Sequence, residues 1–253
     1  MPMKFSNLNR IYVNSKLNEN SSLTLIGDHF HYLKTVLRLR INDHFRIFNP
    51  SNGEFIVQII EINKNDLLVN ISKCLRQPYP IDATQLTLGL SIIKMDKMLN
   101  AINMAVQLGV DKIVPLITER SQLRHINEQK VLKSIIEATE QSERLNLTIL
   151  EPVIPLNQYL NQHQNDIVIY ANENEVTQNS LLEIYSLPGN ISFIVGPEGG
   201  FSSQELSMFL LYSNARSISL SANILRTETA VAAGLAQLGL IRNCYEYKNN
   251  SSA

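Results

Sequence analysis

The sequence predicts an α/β protein in two parts: a small β-rich domain over residues 1–76, a linker over 77–82, and an α/β domain with a parallel sheet over 83–253. Three observations carry this expectation. Strand-length apolar runs crowd the first part, separated by the turn-forming stretches Asn49-Pro-Ser-Asn-Gly53 and Asn63-Lys-Asn-Asp66. Gln77-Pro-Tyr-Pro-Ile-Asp82 carries paired prolines that suit neither helix nor sheet. Beyond it, apolar runs alternate with helical periodicity, the pattern of a parallel sheet covered by helices on both faces.

Taken in order, Arg10-Ile-Tyr-Val13 predicts a short strand. Asp28 is positioned to cap a helix over 29–37 with Phe30, Leu33 and Leu37 on one face. Strands over 44–48, 54–62 and 67–73 complete a barrel-like module. The second part opens with a strand over 85–92 and a helix over 96–108 that turns Met98, Ile102, Ala105 and Val106 inward and stops at Gly109. A strand over 112–117, a helix over 128–143 and a proline-punctuated stretch follow, then strands over 167–170, 191–195 and up to 218–220. Ser186-Leu-Pro-Gly-Asn190 reads as a loop within the domain, and the Asn/Ser-rich end after Tyr247 reads as a frayed tail.

Composition narrows the class of protein. Apolar residues make up 44% of 253, enough for a sizeable core, and the formal net charge of −1 excludes a global basic field. The charge is unevenly spread, because residues 1–80 hold ten Lys/Arg against six Asp/Glu. A basic module ahead of an acidic body fits a division between polyanion binding and chemistry. Cys74 and Cys244 are the only cysteines, so neither a disulfide framework nor a Cys-rich metal site is expected. His29 and His31 fall on different helix faces, and no metal is assigned. The start, Met-Pro-Met-Lys-Phe-Ser-Asn, has no secretory apolar core, and no run reaches the ~20 apolar residues of a spanning helix. A cytoplasmic protein without membrane attachment is the expectation.

The chemistry concentrates in two stretches near the end, Phe193-Ile-Val-Gly-Pro-Glu-Gly-Gly-Phe-Ser-Ser-Gln-Glu-Leu206 and Leu220-Ser-Ala-Asn-Ile-Leu-Arg-Thr-Glu-Thr-Ala230. Each reads as strand, irregular loop, helix start. Ser202 and Glu205 have capping-box spacing, and Thr227 can cap the last helix, expected to reach about Arg242. Loops at the carboxyl ends of strands are where an open α/β sheet keeps its ligand. No Lys-Ser/Thr follows Gly200 and no Gly-x-Gly-x-x-Gly follows an early strand, so neither a phosphate loop nor a nicotinamide site is indicated. Main-chain groups with apolar contacts from Leu220, Ile224 and Leu225 suit an adenine edge and a ribose. Glu198, Arg226 and Glu228 look buried in these loops, and each is either held for function or simply solvated. Arg226, just ahead of a helix N-terminus, is an electrostatically disfavoured cation, which suggests a ligand or a carboxylate partner. Lys34, Arg38, Arg40 and Arg46 in the first module, and Lys94, Lys97, Arg120 and Arg124 near the first two strand ends of the second, are either phosphate contacts or surface charges.

At this point the residues resemble the RsmE-type ribosomal RNA methyltransferases of the SPOUT superfamily. The likeness rests on Arg10-Ile-Tyr-Val13, His31-Tyr-Leu-Lys-Thr-Val-Leu-Arg-Leu39, Lys94-Met-Asp-Lys-Met98, Gln107-Leu-Gly-Val-Asp-Lys-Ile-Val-Pro115, Glu119-Arg-Ser121 and Glu140-Gln-Ser-Glu-Arg144. Its most specific parts are Val195-Gly-Pro-Glu-Gly-Gly-Phe-Ser202 and Ile224-Leu-Arg-Thr-Glu-Thr-Ala230. The resemblance implies a PUA-like barrel that engages RNA, followed by a deep trefoil-knot α/β domain. It implies transfer of a methyl group from S-adenosyl-L-methionine to N3 of a uridine in 16S ribosomal RNA of the small ribosomal subunit, by a homodimer formed through the knot domain. Carried onto this sequence, the cofactor residues are Gly196, Pro197, Glu198, Gly199, Gly200, Leu220, Ser221, Ile224, Leu225, Arg226, Thr227, Thr229 and Ala230. Arg226 is the expected stabiliser of charge on the uracil, and Glu198 the expected base or loop-fixing group. Arg10, Lys34, Arg38, Arg40, Lys94, Lys97, Arg120 and Arg144 are the expected RNA contacts.

The chain departs from the family pattern at Ser221-Ala-Asn223, at Met104 and Gln107, and at Glu143, where the family has glycine. A SPOUT enzyme with another RNA target, such as a transfer-RNA 2′-hydroxyl, a non-catalytic ribosome assembly factor and a generic nucleotide-binding enzyme remain the alternatives.

Overall fold

A computed structural model describes residues 8–78, 84–173 and 189–250, with side chains up to residue 240. Parts of the expected linker, of the 186–190 loop and the last three residues lie outside the described residues. The chain divides into two compact units, one of residues up to 81 together with 143–147, the other of 82–142 and 148 onward. Segment 143–147, expected in the second domain, therefore packs with the first.

The first unit is a five-stranded sheet in the order β1-β3-β4-β5-β2, formed by β1 (Arg10–Tyr12), β2 (Ser21–Ile26), β3 (His44–Asn49), β4 (Gly53–Ile62) and β5 (Asp66–Arg76). β1 runs parallel to β3 and the other pairings are antiparallel. Leu67, Val69 and Ile71 alternate into the core from β5 and meet Phe45, Ile47, Val57 and Leu33 there. β2 was not expected from the sequence. The expected helix over 29–37 is instead a short α1 (Gly27–His31) continued by a π-helical stretch, Tyr32–Val36. Asp28 sits inside its first turn, and the cap position is Ile26, which makes no side-chain cap.

A charge cluster closes one end of this unit. Glu54 is 1% exposed and accepts hydrogen bonds from Arg10 Nε at 3.0 Å, Arg46 Nη1 at 3.1 Å and Arg76 Nε. Arg10 also lies over the Phe48 ring, 3.4 Å from its centroid, and burial pushes its pKa down to about 10. Arg46 grips the Glu143 carboxylate with both terminal nitrogens, at 2.9 and 2.6 Å. Arg76 donates to the Glu143 carbonyl at 2.8 Å, and Arg10 to that of Arg144. Glu143 adopts φ +61, a left-handed conformation that costs most residues energy and that favours glycine. The fork–fork pair with Arg46 offsets that cost.

The Arg46 hydrogen bonds hold the Glu143 carboxyl below its ordinary value of 4.5. A depressed folded-state pKa gives stability that is present above the unfolded value and lost as pH falls through the folded one. Glu143→Gln is expected to lower stability at pH 7 by less than about 1 kcal/mol, because the carboxylate is 48% exposed. Thermal melts should show that difference closing as pH falls below the ordinary carboxyl value and through the depressed folded-state one.

The second unit is a seven-stranded sheet in which every pairing is parallel. Its order is β12-β10-β11-β6-β7-β8, with β9 also on β7. The strands are β6 (Leu86–Ser91), β7 (Lys112–Ile117), β8 (Ile149–Leu150), β9 (Ile154–Pro155), β10 (Ile167–Ala171), β11 (Ile191–Val195) and β12 (Ala215–Ile218). α2 (Met95–Gln107), α3 (Glu128–Gln141) and α6 (Thr227–Asn250) cover one face. α4 (Leu156–Gln162) and α5 (Ser203–Phe209) cover the other. Strand alternation serves both cores: Phe193 and Val195 point to the first layer and Ile194 to the second. Met98, Ile102, Ala105 and Val106 of α2 are fully buried.

Three helix expectations need correction. α3 stops at Gln141, two residues early, because Glu143 turns left-handed and joins the first unit. α4 fills the proline-punctuated stretch, with Leu156, Tyr159 and Leu160 buried at helical spacing. α6 runs through Asn250, so residues 247–250 continue it.

α6 crosses β11 at Gly234. A Cβ there would lie 2.1 Å from the Phe193 ring, which only glycine avoids. Gly234→Ala is expected to destabilise the second unit by about 1–3 kcal/mol, despite alanine's better helix propensity, because Phe193 is fully buried. A thermal melt as stable as wild type would contradict this crossing.

Candidate cofactor site

The carboxyl ends of β10, β11 and β12 bring three loops together: 171–173, 196–201 and 219–225. Between them lies a solvent-open cleft lined by the ends of these three strands. Its middle wall is the glycine loop. The Gly200 N–H donates to the Pro197 carbonyl at 2.8 Å, and Gly200 takes φ +66, closing a tight turn that leaves Glu198 and Gly199 exposed at the tip. The floor is apolar, from Val195, Leu206, Leu225 and Ala230.

Two contacts fix the loop from opposite sides. The Thr227 hydroxyl donates to the Gly196 carbonyl at 3.2 Å, tying α6 to the end of β11. Thr227 is thus the first residue of α6, not its flanking cap. Arg120, on the loop after β7, donates from Nη1 to the Gly199 carbonyl at 2.6 Å. The capping box is present as expected: Ser202 Oγ accepts from the Glu205 N–H at 3.2 Å and Glu205 Oε2 from the Ser202 N–H at 2.9 Å. On the third loop, Ser221 Oγ accepts from the Asn223 N–H at 3.1 Å, so the departure Ser221-Ala-Asn223 folds as a side-chain-stabilised turn.

Of the thirteen expected cofactor residues, ten line the cleft: Gly196, Pro197, Glu198, Gly199, Gly200, Leu220, Ser221, Leu225, Thr227 and Ala230. Ile224, Arg226 and Thr229 do not; all three are exposed, Ile224 at 82%. Glu198 and Arg226 are exposed, not buried, and no salt bridge joins them. Among the described residues the Arg226 side chain has no hydrogen-bond or ion-pair partner. Glu228 is partly buried and pairs with Lys97 at 3.5 Å. The sequence reading missed Asn172 and Glu173, which continue β10 into the cleft, although a polar pair after an apolar strand was the available signal. Arg120, expected on RNA, is a cleft residue.

The expected RNA contacts divide. Arg10 is corrected: it is 6% exposed, and its guanidinium is spent on Glu54, Phe48 and a carbonyl, so phosphates cannot reach it. Arg46 is equally buried. Lys34, Arg38 and Arg40 are exposed, Lys34 lying over the Phe30 ring and donating to Asn63. Lys94 is exposed at the N-cap of α2, Lys97 is half-buried against Glu228, and Arg144 is half-buried. Among the described residues no group of three His, Cys, Asp or Glu side chains could hold a metal ion, and no helix is long and apolar enough to cross a membrane.

Residues 80–239 match the model of an RNA methyltransferase domain, and residues 25–72 that of an RNA methyltransferase PUA domain. The chain belongs to the RNA methyltransferase family. It is 50% identical over 236 residues to the ribosomal RNA small subunit methyltransferase E of Rickettsia conorii, covering 92% of this chain and 96% of that one. Identity to the protein of the same name from Buchnera aphidicola of Schizaphis graminum is 32%, covering 90% and 94%. Among solved structures, ribosomal RNA small subunit methyltransferase E of Neisseria gonorrhoeae, bound to S-adenosyl methionine, superposes with a TM-score of 0.81. That match is 26% identical and covers 93% of this chain and 98% of that one. A Legionella pneumophila methyltransferase in complex with the same cofactor gives a TM-score of 0.83 at 26% identity, covering 94% and 98%. The architecture is thus a PUA domain followed by a SPOUT-type α/β methyltransferase domain with a parallel sheet.

Proposed function

We propose that this chain is the S-adenosyl-L-methionine-dependent methyltransferase that modifies N3 of a uridine in 16S ribosomal RNA of the small subunit. The observation that carries the reading is the glycine-loop cleft at three strand ends in a chain half identical to a named small-subunit enzyme. The residues present fit the cofactor. Main-chain groups of Gly196 to Gly200 border an apolar floor, as an adenosine needs, and the acidic side chains are Glu173 and Glu198 against one cation, Arg120. That sign of charge favours a cationic sulfonium and ammonium, and disfavours the polyphosphate of a generic nucleotide.

When bound, S-adenosylmethionine would supply a methyl group already activated by its positive sulfur, with a neutral thioether as the leaving group. The chain must align uracil N3 with that group and manage the N3 proton. Arg226, exposed and unpartnered between the cleft residues Leu225 and Thr227, is assigned the charge that develops on the uracil oxygens. Glu198, at the exposed tip of the glycine loop, is assigned the N3 proton. The exposed Lys34, Arg38, Arg40 and Lys94 are assigned to the RNA backbone. A trefoil knot in the cofactor loops, a homodimer through the second unit and a cytoplasmic setting belong to the same reading. Calorimetry tests the cofactor assignment: S-adenosylmethionine should bind in the micromolar range and ATP should not compete, whereas preferential ATP binding would overturn it.

A further inference from the structure

Glu205 does more than a capping box requires. The box uses its N–H and Oε2. Its other oxygen, Oε1, accepts the Glu119 N–H at 2.8 Å from the loop that follows β7. Glu205 is 6% exposed, and its carboxylate is satisfied by two backbone donors 83 residues apart in sequence, Glu119 and Ser202. Charge-assisted bonds of this kind are the stronger ones.

The loop it holds is stiff. The Ser121 N–H donates to the Thr118 carbonyl at 3.1 Å, the Thr118 N–H to Ser121 Oγ at 3.2 Å, and the two hydroxyls lie 2.7 Å apart. The next residue after Glu119 is Arg120, whose Nη1 holds the Gly199 carbonyl. One buried carboxylate thus fixes the exit of the glycine loop at Ser202 and, through Glu119 and Arg120, its tip at Gly199. Both Arg120 and Gly199 line the cleft, and Gly199 is exposed.

We infer that Glu205 is a positioning residue for the cofactor cleft, joining the loop after β7 to the tip and the exit of the glycine loop. The inference rests on the cofactor reading above. Glu205→Gln is nearly isosteric but presents an amide donor to one of two N–H groups, so it breaks one arm of the clamp. Ser202→Ala removes the hydroxyl half of the cap and leaves both carboxylate bonds, so it reports capping alone.

The experiment compares full-length wild type, Glu205→Gln, Ser202→Ala and Arg120→Ala by calorimetry with S-adenosylmethionine, thermal melts, and steady-state methylation of small ribosomal subunits. Glu205→Gln is expected to raise the cofactor Kd and KM by about tenfold, with the KM for subunits unchanged. Ser202→Ala is expected to lower Tm while keeping the cofactor Kd within about twofold. Arg120→Ala is expected to raise the cofactor Kd in the same direction with little change in Tm, and it keeps the test decisive if Glu205→Gln does not fold. Glu205→Gln or Arg120→Ala binding the cofactor as wild type does would overturn the clamp and leave the cofactor reading intact. A wild-type chain that binds no S-adenosylmethionine would overturn both.

Discussion

Arg226→Ala is expected to lower the single-turnover methylation rate by roughly 10²–10³-fold, the loss typical of removing one preorganised donor to developing negative charge. The side chain is exposed, lines no part of the cleft and has no partner among the described residues. Its removal should therefore leave both Tm and cofactor affinity close to wild type. That separation is the diagnostic feature, because a structural arginine would move stability and a cofactor-holding one would move Kd. Lys at this position keeps the charge but not the planar fork, and should recover only part of the rate. A wild-type single-turnover rate in Arg226→Ala would remove the residue from the mechanism.

The largest expected effect on stability lies in the first unit. Glu54→Ala is expected to cost about 3–5 kcal/mol, because it strips the shared counter-ion from Arg10, Arg46 and Arg76. The side chains of Arg10 and Arg46 are 2% and 7% exposed, so water cannot take the carboxylate's place without local opening. Glu143 alone would remain to face three guanidinium groups. Amide exchange across β3, β4 and β5 should report the loss locally, since a chain of two units need not unfold in one step. A loss below about 1 kcal/mol would mean that the three arginines repel less than their burial implies.

These two arginine systems show where the sequence was readable. Local patterns carried far: β7 and β11 coincide with their expected bounds, 112–117 and 191–195, and the Ser202–Glu205 box forms as its spacing requires. The ligand loops were likewise legible, because glycine, proline and short polar residues after an apolar strand are a local signal. What escaped is set by contacts distant in the chain. Nothing near Arg10 announces that Glu54, 44 residues on, will bury it, so it resembled a surface cation. Nothing near Glu205 announces Glu119. β2 was missed because Ser21-Ser-Leu-Thr-Leu-Ile26 is weakly apolar and gains its stability from pairing with β5. α4 escapes for a different reason: Pro152 and Pro155 mask the helical spacing of Leu156, Tyr159 and Leu160, although Pro155 stands just ahead of the helix, where its missing N–H removes no helical bond. Glu143 reverses the usual logic, since a left-handed site without glycine is explained by the Arg46 fork and by nothing in its neighbours.

The most direct measurement for the central claim is methylation of small ribosomal subunits taken from cells lacking this modification, with isotope-labelled S-adenosylmethionine and nucleotide mapping by mass spectrometry. One labelled methyl group on N3 of a single 16S uridine, appearing far more slowly with Arg226→Ala, is the predicted result. Label on a ribose 2′-hydroxyl, on transfer RNA, or on no RNA at all from a cofactor-binding chain would contradict it.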